Sequence, residues 1–329
     1  MNAGILGCGH YVPEKILTNH DLLIMGLETS DEWISDRTGI KERRVLDEGM
    51  ASSDMAVEAA KMAIASANLT PHDIDLVIVA TTTPDYQAFP STACLIQDRL
   101  GLRKVGAFDI AAACTGFNYA LTTAAQFVNT GQARYVLVVG VDCLSKYVNW
   151  EDRSTCILFG DGAGAVVVGK VLQGYGLLAA DLYADGSEAD ILKIEAGGSK
   201  KRVGKDVAER SIAMNGKAVF KVAVSTIVPA IIHTLNKVDL TPGDIDYFIP
   251  HQANLRIINH AKDKLGLADE KVATNIQKYG NTSAASIPLA LSESLCEGKI
   301  SDGSLVVLAG FGAGFTWGVN VIRWGGIVS

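Results

Sequence analysis

The stretch LTPHDIDLVI at positions 69–78 recurs as LTPGDIDYFI at positions 240–249, with seven of the ten residues identical. The two copies lie 171 residues apart, which is about half of the 329-residue chain. Each copy follows a stretch with helical periodicity and opens a short apolar run, LVIVA or YFIP, that predicts a buried strand. The recurrence therefore predicts a chain built from two similar halves.

The segments that follow each copy also recur in the same order. In the first half they are VGAFDIAAACTGFNYALTTAAQFV and RYVLVVGVDC, and in the second half VATNIQKYGNTSAASIPLALSESL and SLVVLAGFGAGF. Both halves are predicted as helix, strand, strand–turn–helix and strand. This alternation predicts an α/β fold in which mixed sheets are covered by helices, with pseudo-symmetric halves at 1–171 and 172–329. Three segments outside the repeat are expected to be active-site loops: 84–90, 145–156 and 183–217.

Composition narrows the class of protein. The net charge is -7 and 48% of the residues are hydrophobic, which allows a large core and argues against nucleic acid as the main partner. None of the six cysteines forms a C-x-x-C pair, and the N-terminus has no basic head followed by an apolar stretch. No apolar run is expected to span a bilayer. We therefore expect a cytoplasmic protein with free thiols, no metal site and no membrane segment.

Cys114 is the cysteine whose surroundings can change its chemistry. It lies in DIAAACTGFNYAL (109–121), where a predicted strand gives way to a predicted helix. Unpaired backbone N–H groups and the helix dipole at such a point favour a thiolate, and a thiolate can attack an acyl carbon. The alternative is a small buried apolar residue, which describes most cysteines.

Two residues of the second half complete a candidate site. His251 in HQAN follows the predicted strand of the second repeat, and Asn281 in GNTSAAS lies at the turn that corresponds to that of Cys114. Each has an ordinary alternative as a structural histidine or a helix cap. Asn cannot give or take a proton at neutral pH and would act as a hydrogen-bond donor. A neutral His can donate a hydrogen bond from one ring nitrogen, so the pair could stabilise an oxyanion or an enolate. A cysteine protease would instead use the His as a base and the Asn to orient it.

Several motifs resemble those of one family. They are AAACTGF around Cys114, HQANLRI around His251, YGNTSAASIPLAL around Asn281, GFGAGFTWG, FGDGAGAVVV, SDEWISDRTGIKERR and FPSTAC. Over essentially its whole length the sequence resembles the thiolase-like condensing enzymes, and within them the β-ketoacyl-acyl carrier protein synthase III family. The Asn in the third motif matters because thiolases and elongating synthases usually carry a second His there.

The resemblance implies a two-step reaction. Cys114 takes the acyl group from a short acyl-CoA, and malonyl-acyl carrier protein then loses carbon dioxide and attacks the acyl-enzyme, which gives a 3-oxoacyl-acyl carrier protein. His251 and Asn281 would stabilise the enolate, and the backbone N–H groups of Cys114 and Ala313 would bind the acyl oxyanion. Many relatives have Gly at the position of Ala313, and a main-chain donor tolerates the methyl group if φ is negative. The thioesters are substrates, so no cofactor is expected.

The resemblance also implies a CoA site. Trp33 and Arg37 share one face of a helix for which Thr29 and Glu32 predict a capping box. With Arg153 they would surround the adenine of CoA, and an indole and guanidinium groups suit a purine and its phosphates. The alternative is a helix packed by its Trp, with a solvated Arg. Asn254 would reach the pantetheine arm.

Two phenylalanines and three basic residues complete the implied roles. Phe311 would flank the catalytic centre and shield it from water. Phe89 would cross the interface of a homodimer and line the partner's acyl pocket, unless it is a plain core aromatic. Acidic carrier protein needs a basic landing site, for which the matching residues are Lys221, Arg256 and Lys264. Asp263 stands where relatives often carry another Lys.

Three other functions are compatible with parts of the sequence. A related condensing enzyme of polyketide, alkene or signalling-molecule synthesis would use acyl-CoA substrates without a carrier protein. A catalytically inactive scaffold is disfavoured by the intact Cys114, His251 and Asn281. A cysteine hydrolase would cleave thioesters without forming carbon–carbon bonds. The starter acyl chain is not determined by these residues, because it depends on the volume of a pocket.

Overall fold

The structure is a computed structural model that describes residues 2–327. Thirteen strands are present in this part of the chain: β1 Asn2–Tyr11, β2 Ile16–Thr18, β3 Glu42–Arg44, β4 Leu76–Ala80, β5 Gly106–Ile110, β6 Val136–Cys143, β7 Asp161–Val171, β8 Gly176–Ala184, β9 Leu192–Ile194, β10 Ile212–Met214, β11 Tyr247–Pro250, β12 Leu305–Gly312 and β13 Thr316–Arg323. The α-helices of the same residues are α1 Asn19–Ile24, α2 Asp31–Thr38, α3 Ser52–Ser66, α4 Thr92–Arg99, α5 Gly116–Asn129, α6 Arg153–Cys156, α7 Val207–Arg210, α8 Gly216–Asn236, α9 Leu255–Leu265, α10 Ile276–Tyr279 and α11 Ser286–Cys296.

The repeated LTP-x-DID stretch forms the same turn twice. In the first copy the Thr70 hydroxyl and backbone N–H donate to Asp73 Oδ2 over 2.7 and 2.8 Å. In the second copy Thr241 donates to Asp244 over the same two distances. Each pair caps a single 3-10 turn that opens with proline, and the next apolar residues form β4 or β11. Each copy of the repeat is therefore a locally capped turn that precedes a buried parallel strand.

Two sheets are built from the two halves. The first has the order β1-β7-β6-β4-β5, with β4 parallel to β5 and β6, and β7 antiparallel to its neighbours. The second has the order β11-β12-β13-β8, with only β11 and β12 parallel. A counterpart of β5 is reduced to one bridge between Phe248 and Val272. The predicted α/β fold of two pseudo-symmetric halves with mixed sheets is confirmed, while the division at residue 171 stays a prediction.

Helices α5 and α11 pack between the two sheets. Phe117 and Leu121 of α5 join Ile287 and Leu291 of α11 in one buried apolar cluster with strands of both sheets. The outer face of the first sheet is covered by α3 and α4, and that of the second by α8 and α9. The amino ends of α5 and α11 meet in the middle of the molecule, where their preceding 3-10 turns are in contact. This meeting point brings the two halves of the site together.

One helix is long and apolar enough to bear on the expectation about membrane segments. α8 has 21 residues and a mean hydropathy of 1.7 in its most apolar window, so by length and composition it could span a bilayer. A helix buried in the core of a protein passes the same test, so the expectation that no segment spans a bilayer stays a prediction. Ile227, Ile231 and Leu235 of α8 pack in the core against the second sheet, which accounts for the apolar composition.

Candidate active site

Cys114 is placed by a strained turn. It lies in the 3-10 turn Ala113–Thr115, between the end of β5 and the start of α5, and Ala113 has a φ of 47°. The end of strand β12, from the second half, packs closely against this turn. A Cβ added to Gly312 would lie only 2.6 Å from the Cys114 backbone nitrogen. The side chain is 7% exposed. The sulfur is thus fixed at the junction of the two halves.

The pKa of Cys114 differs from the sequence expectation. The pKa of the thiol is raised to about 12, chiefly by burial and to a smaller extent by the charge of Asp142, while a hydrogen bond with Ser283 acts to lower it. The prediction that the helix terminus sets a low pKa is wrong for this closed site, because loss of solvent is the largest influence on the thiol. The group is therefore a thiol at neutral pH and must lose its proton during the reaction.

His251 follows β11 and is held on both sides. Its backbone N–H donates to Ala309 over 2.8 Å, and its Nδ1 lies 2.6 Å from Ser286 Oγ at the start of α11. The ring is 2% exposed. Burial lowers the pKa of His251 to about 3, so the imidazole is neutral at physiological pH. A neutral ring donates from one nitrogen only, as the sequence analysis required of an enolate donor.

Asn281 presents its amide nitrogen to the site. Its Oδ1 accepts a hydrogen bond from the Ser283 N–H over 2.9 Å, which leaves Nδ2 as the free end of the side chain. Its backbone N–H donates to Leu158 over 2.8 Å and its carbonyl accepts from Gly160 over 3.0 Å. Asn281 follows the short helix α10, so the prediction that its turn follows a strand, as the turn of Cys114 does, is wrong for this residue.

The three predicted catalytic side chains line one small cavity. Cys114, His251 and Asn281 surround it together with Phe311, and its volume is about 110 Å³. A second cavity of about 1030 Å³ lies outside it. The two share five lining residues, Leu158, Met214, Gly216, Phe220 and Asn254, so they form one passage from the surface to the sulfur.

The outer cavity contains the predicted adenine-binding residues. The guanidinium carbons of Arg37 and Arg153 lie 4.7 and 4.8 Å from the centre of the Trp33 ring. All three line the cavity, as does Lys217, which the sequence analysis missed. The predicted capping box is wrong by one residue, because Ser30 caps α2 by accepting the Trp33 N–H over 3.0 Å. An aromatic ring beside several cations suits an anionic aromatic ligand.

Asn254 lies where the two cavities meet. Its Oδ1 caps α9 by accepting the Arg256 N–H over 2.9 Å, and its Nδ2 donates to the Arg37 carbonyl over 3.1 Å. The side chain therefore ties α9 to α2 across the passage. This connection holds the wall along which a ligand would reach Cys114.

The other predicted residues lie in different surroundings. Phe311 is buried and meets His251 edge to face, with the ring centres 5.3 Å apart. Ala313 is half-buried in the turn after β12, and the residues with positive φ in the described chain do not include it. Phe89 is 84% exposed and lies outside the lining of both cavities, so the alternative of a core aromatic is wrong.

The three predicted carrier-binding residues are exposed but not equivalent. Arg256 lines the outer cavity, and its guanidinium carbon lies 5.6 Å from the centre of the Phe220 ring on α8. Lys221 is the next residue of α8, whereas Lys264 is in the last turn of α9. Neither lysine lines the outer cavity. Only Arg256 is therefore at the mouth itself.

A buried arginine that was not predicted from the sequence supports the wall of the site. Arg43 is fully buried, and its guanidinium donates to Leu17, Asn19 and Ile157 over 2.7–3.1 Å. The segment after Ile157 lines the passage and holds Asn281. A lone Arg in a charged stretch carries no sequence signal for this role, because its partners, two backbone carbonyls and the Asn19 side-chain oxygen, are distant in sequence. Within residues 2–327 no group of His, Cys, Asp or Glu is arranged to hold a metal ion.

Comparisons with known proteins agree on one family. Residues 108–186 match the family described as 3-oxoacyl-[acyl-carrier-protein (ACP)] synthase III, and residues 235–324 match the C-terminal family of that name. The beta-ketoacyl-[acyl-carrier-protein] synthase III of Caldanaerobacter subterraneus subsp. tengcongensis is 53% identical over 325 residues, with 98% of each chain covered. The crystal structure of the Thermus thermophilus enzyme of the same name has a TM-score of 0.93 at 48% identity, covering 98% of this chain and 100% of that chain.

The fold and the site define a thiolase-like condensing enzyme. The chain belongs to the β-ketoacyl-acyl carrier protein synthase III family, and it is an acyltransferase that carries out the initiating condensation of fatty acid synthesis. The priming β-ketosynthase from the R1128 polyketide biosynthetic pathway is a more distant relative. It is 36% identical with a TM-score of 0.91, covering 98% of this chain and 96% of that chain.

Proposed function

We propose that Cys114 carries the acyl group from an acyl-CoA to malonyl-acyl carrier protein. The observation that supports this most directly is the passage that ends at Cys114, His251 and Asn281. In the first step the Cys114 sulfur forms a thioester with the acyl carbon, and the bond from that carbon to the CoA sulfur breaks. The proton of the thiol ends on the sulfur of the departing CoA. The backbone N–H groups of Cys114 and Ala313 bind the acyl oxyanion.

In the second step the bond between the malonyl carboxylate and its α-carbon breaks. Its electron pair forms the thioester enolate, and carbon dioxide leaves. His251 and Asn281 donate hydrogen bonds to the enolate oxygen, and a neutral imidazole suits this role. The enolate carbon then attacks the acyl carbon, the bond from that carbon to the Cys114 sulfur breaks, and the thiolate that leaves takes up one proton from solvent to restore the thiol. Phe311, in edge contact with His251, keeps water from the enolate.

The two steps can be separated by experiment. Treatment with acyl-CoA and mass spectrometry should show one acyl adduct on Cys114, absent from Cys114→Ser. The variants His251→Ala and Asn281→Ala should still form the adduct but should fail to decarboxylate malonyl thioester, because only the second step uses their donors. An adduct on another residue contradicts the assignment of the nucleophile. Normal decarboxylation by either variant contradicts the enolate role.

The outer cavity is proposed to bind the nucleotide end of CoA. Trp33 would stack on the adenine while Arg37 and Arg153 face its phosphates, and Asn254 would contact the pantetheine arm. The substitution Trp33→Ala should raise the KM for acyl-CoA with little change in kcat. Acylation by a short N-acetylcysteamine thioester, which has no adenine, should be unchanged; an equal loss with both donors would contradict the assignment.

The basic residues at the mouth are proposed to receive the acidic carrier protein. Arg256 lines the mouth and contacts Phe220 of α8, and Lys221 is the residue next to Phe220. Lys264 lies further along α9, the helix that contains Arg256. The substitution Arg256→Glu should raise the KM for malonyl-acyl carrier protein at least tenfold but leave malonyl-CoA turnover intact. The exposed Lys299, distant from this mouth, provides Lys299→Glu as a matched control. Equal losses with both malonyl donors would favour the condensing enzyme that needs no carrier.

A homodimer is proposed to form along the free edge of the first sheet. β5 is the last strand of that sheet, and its backbone groups on the outer side face away from β4. The adjacent segment 84–90 exposes Tyr86 and Phe89. The helix α4 follows this segment, and Asp109 of β5 accepts hydrogen bonds from the backbone N–H groups of Thr92 and Ala93 at its start. Sedimentation should show a dimer, and Phe89→Asp should shift it towards monomer. A monomeric wild type at micromolar concentration would contradict this proposal.

The surroundings of the enzyme are part of the same proposal. We place it in the cytoplasm, where its free cysteines would stay reduced. It would need no cofactor besides its thioester substrates and no membrane partner. Activity of the purified enzyme after metal chelation and dialysis, without lipid, should match that of the untreated enzyme.

A further inference from the structure

His251 makes one side-chain hydrogen bond whose direction decides its chemistry. Its Nδ1 lies 2.6 Å from Ser286 Oγ, and both side chains are buried. A neutral imidazole carries its proton on either Nδ1 or Nε2. Only the form with the proton on Nε2 can donate towards the cavity from the ring nitrogen opposite Ser286.

The surroundings of Ser286 select one of the two forms. The Gln252 backbone N–H points at Ser286 Oγ from 3.4 Å, and an N–H can only donate. The Ser286 hydroxyl has one proton of its own, which needs an acceptor. Of these two neighbours only the His251 Nδ1 can accept it, so the hydroxyl donates to Nδ1. The imidazole proton then resides on Nε2.

We propose that Ser286 is a positioning residue that holds His251 in the Nε2–H form needed to donate to the enolate. Nothing in its own contacts places Ser286 against substrate, so it acts only through His251. The helix α11 begins at Ser286, and the rigid start of this helix fixes the direction of the hydroxyl. This inference rests on the proposed function of His251 as an enolate donor.

The protonation of the His251 ring in the wild-type protein provides the first test. Protein labelled with ¹⁵N in its six histidines should show the Nδ1 of His251 as an unprotonated nitrogen and Nε2 as protonated between pH 6 and pH 8. The resonances are assigned by their loss in His251→Gln. A protonated Nδ1 overturns the inference, whereas failure of His251→Ala to affect decarboxylation overturns only the proposed function.

Kinetics of Ser286→Ala test the consequence for catalysis. We expect kcat for malonyl decarboxylation about tenfold lower, an unchanged KM for the malonyl substrate and unchanged acylation of Cys114, since one buried hydrogen bond is lost. The ¹⁵N spectrum should then show a mixture of the two ring forms. Ser286→Thr, which keeps a hydroxyl, should restore both the ring form and most of kcat.

The chain contains a matched control on the same helix. Ser292 is also buried in α11 and lies 2.8 Å from Nδ1 of His10, distant from the cavity. Ser292→Ala should leave decarboxylation and the His251 resonances unchanged. A Ser286→Ala variant that keeps the wild-type kcat, or loses activity with the ring form unchanged, contradicts the positioning role. A fall in kcat with Ser292→Ala equal to that with Ser286→Ala also contradicts it.

Discussion

Acidification from pH 7 to pH 5 is expected to destabilise the folded protein through His251. Burial lowers the pKa of this histidine to about 3 in the folded chain, whereas a histidine in an unfolded chain has a pKa of 6.5. Below pH 6.5 the unfolded chain therefore binds a proton that the folded chain does not. The free energy of unfolding falls as the pH decreases, and it is fully restored above pH 7.

The size of the effect follows from the two pKa values. At pH 5 protonation stabilises the unfolded chain by about 2 kcal/mol, and at pH 7 by about 0.2 kcal/mol. Protonation of the folded form is negligible at both pH values. The contribution of His251 to the pH dependence is therefore about 2 kcal/mol, or roughly a factor of 25 in the unfolding equilibrium.

Urea unfolding at pH 7 and pH 5 measures this contribution, at one protein concentration. The difference in unfolding free energy between the two pH values should be about 2 kcal/mol smaller in His251→Gln than in wild type. The burial that lowers the pKa of His10 adds to the pH dependence of both proteins equally. Phe311→Leu, which alters the packing beside His251 but keeps the histidine, should retain the wild-type difference. An equal pH dependence in wild type and His251→Gln would refute the reasoning.

Two further predictions concern the nucleophile. Gly312→Ala should lower acylation of Cys114 at least 100-fold with the fold intact by circular dichroism, because its Cβ would lie 2.6 Å from the Cys114 nitrogen. Gly186→Ala, where a Cβ meets nothing within 4 Å, should have no effect, and normal acylation of Gly312→Ala would contradict the packing argument. Because burial raises the pKa of Cys114 to about 12, its alkylation by iodoacetamide should rise about tenfold per pH unit from pH 7 to pH 9. The rate must be followed by mass spectrometry at Cys114, because Cys94 and Cys296 are exposed, and a plateau below pH 8 would contradict a raised pKa.

The duplicated fold could be predicted because its signal is local. The residues Thr70 and Asp73 cap one turn, Thr241 and Asp244 cap the other, and each turn leads into a buried strand. The order of the strands could not be predicted, because β1 pairs with β7, and that pairing places Ala3 opposite Lys170. The repeat predicted a strand in the second half at the place of β5, but the structure keeps only the bridge between Phe248 and Val272 there.

The candidate site could be predicted in its residues but not in its chemistry. Cys114, His251 and Asn281 were found from the repeat and from the resemblance, and the structure brings them to one cavity. The direction of the Cys114 pKa was predicted wrongly, because the position at a helix start is local while burial is a property of the assembled halves. Ser286 was missed because its partner His251 lies 35 residues away in sequence.

The sequence by itself determined the two repeated units, the caps of their turns and the residue types available for chemistry, since hydrogen bonds over three residues and the periodicity of apolar side chains depend on neighbours alone. Only the tertiary structure decided which side chains face one another and how much water remains around them. Packing of α5 against α11 removes solvent from Cys114 and His251. Because that desolvation comes from groups contributed by both halves, it sets the pKa of each residue in a way that no local stretch of sequence encodes.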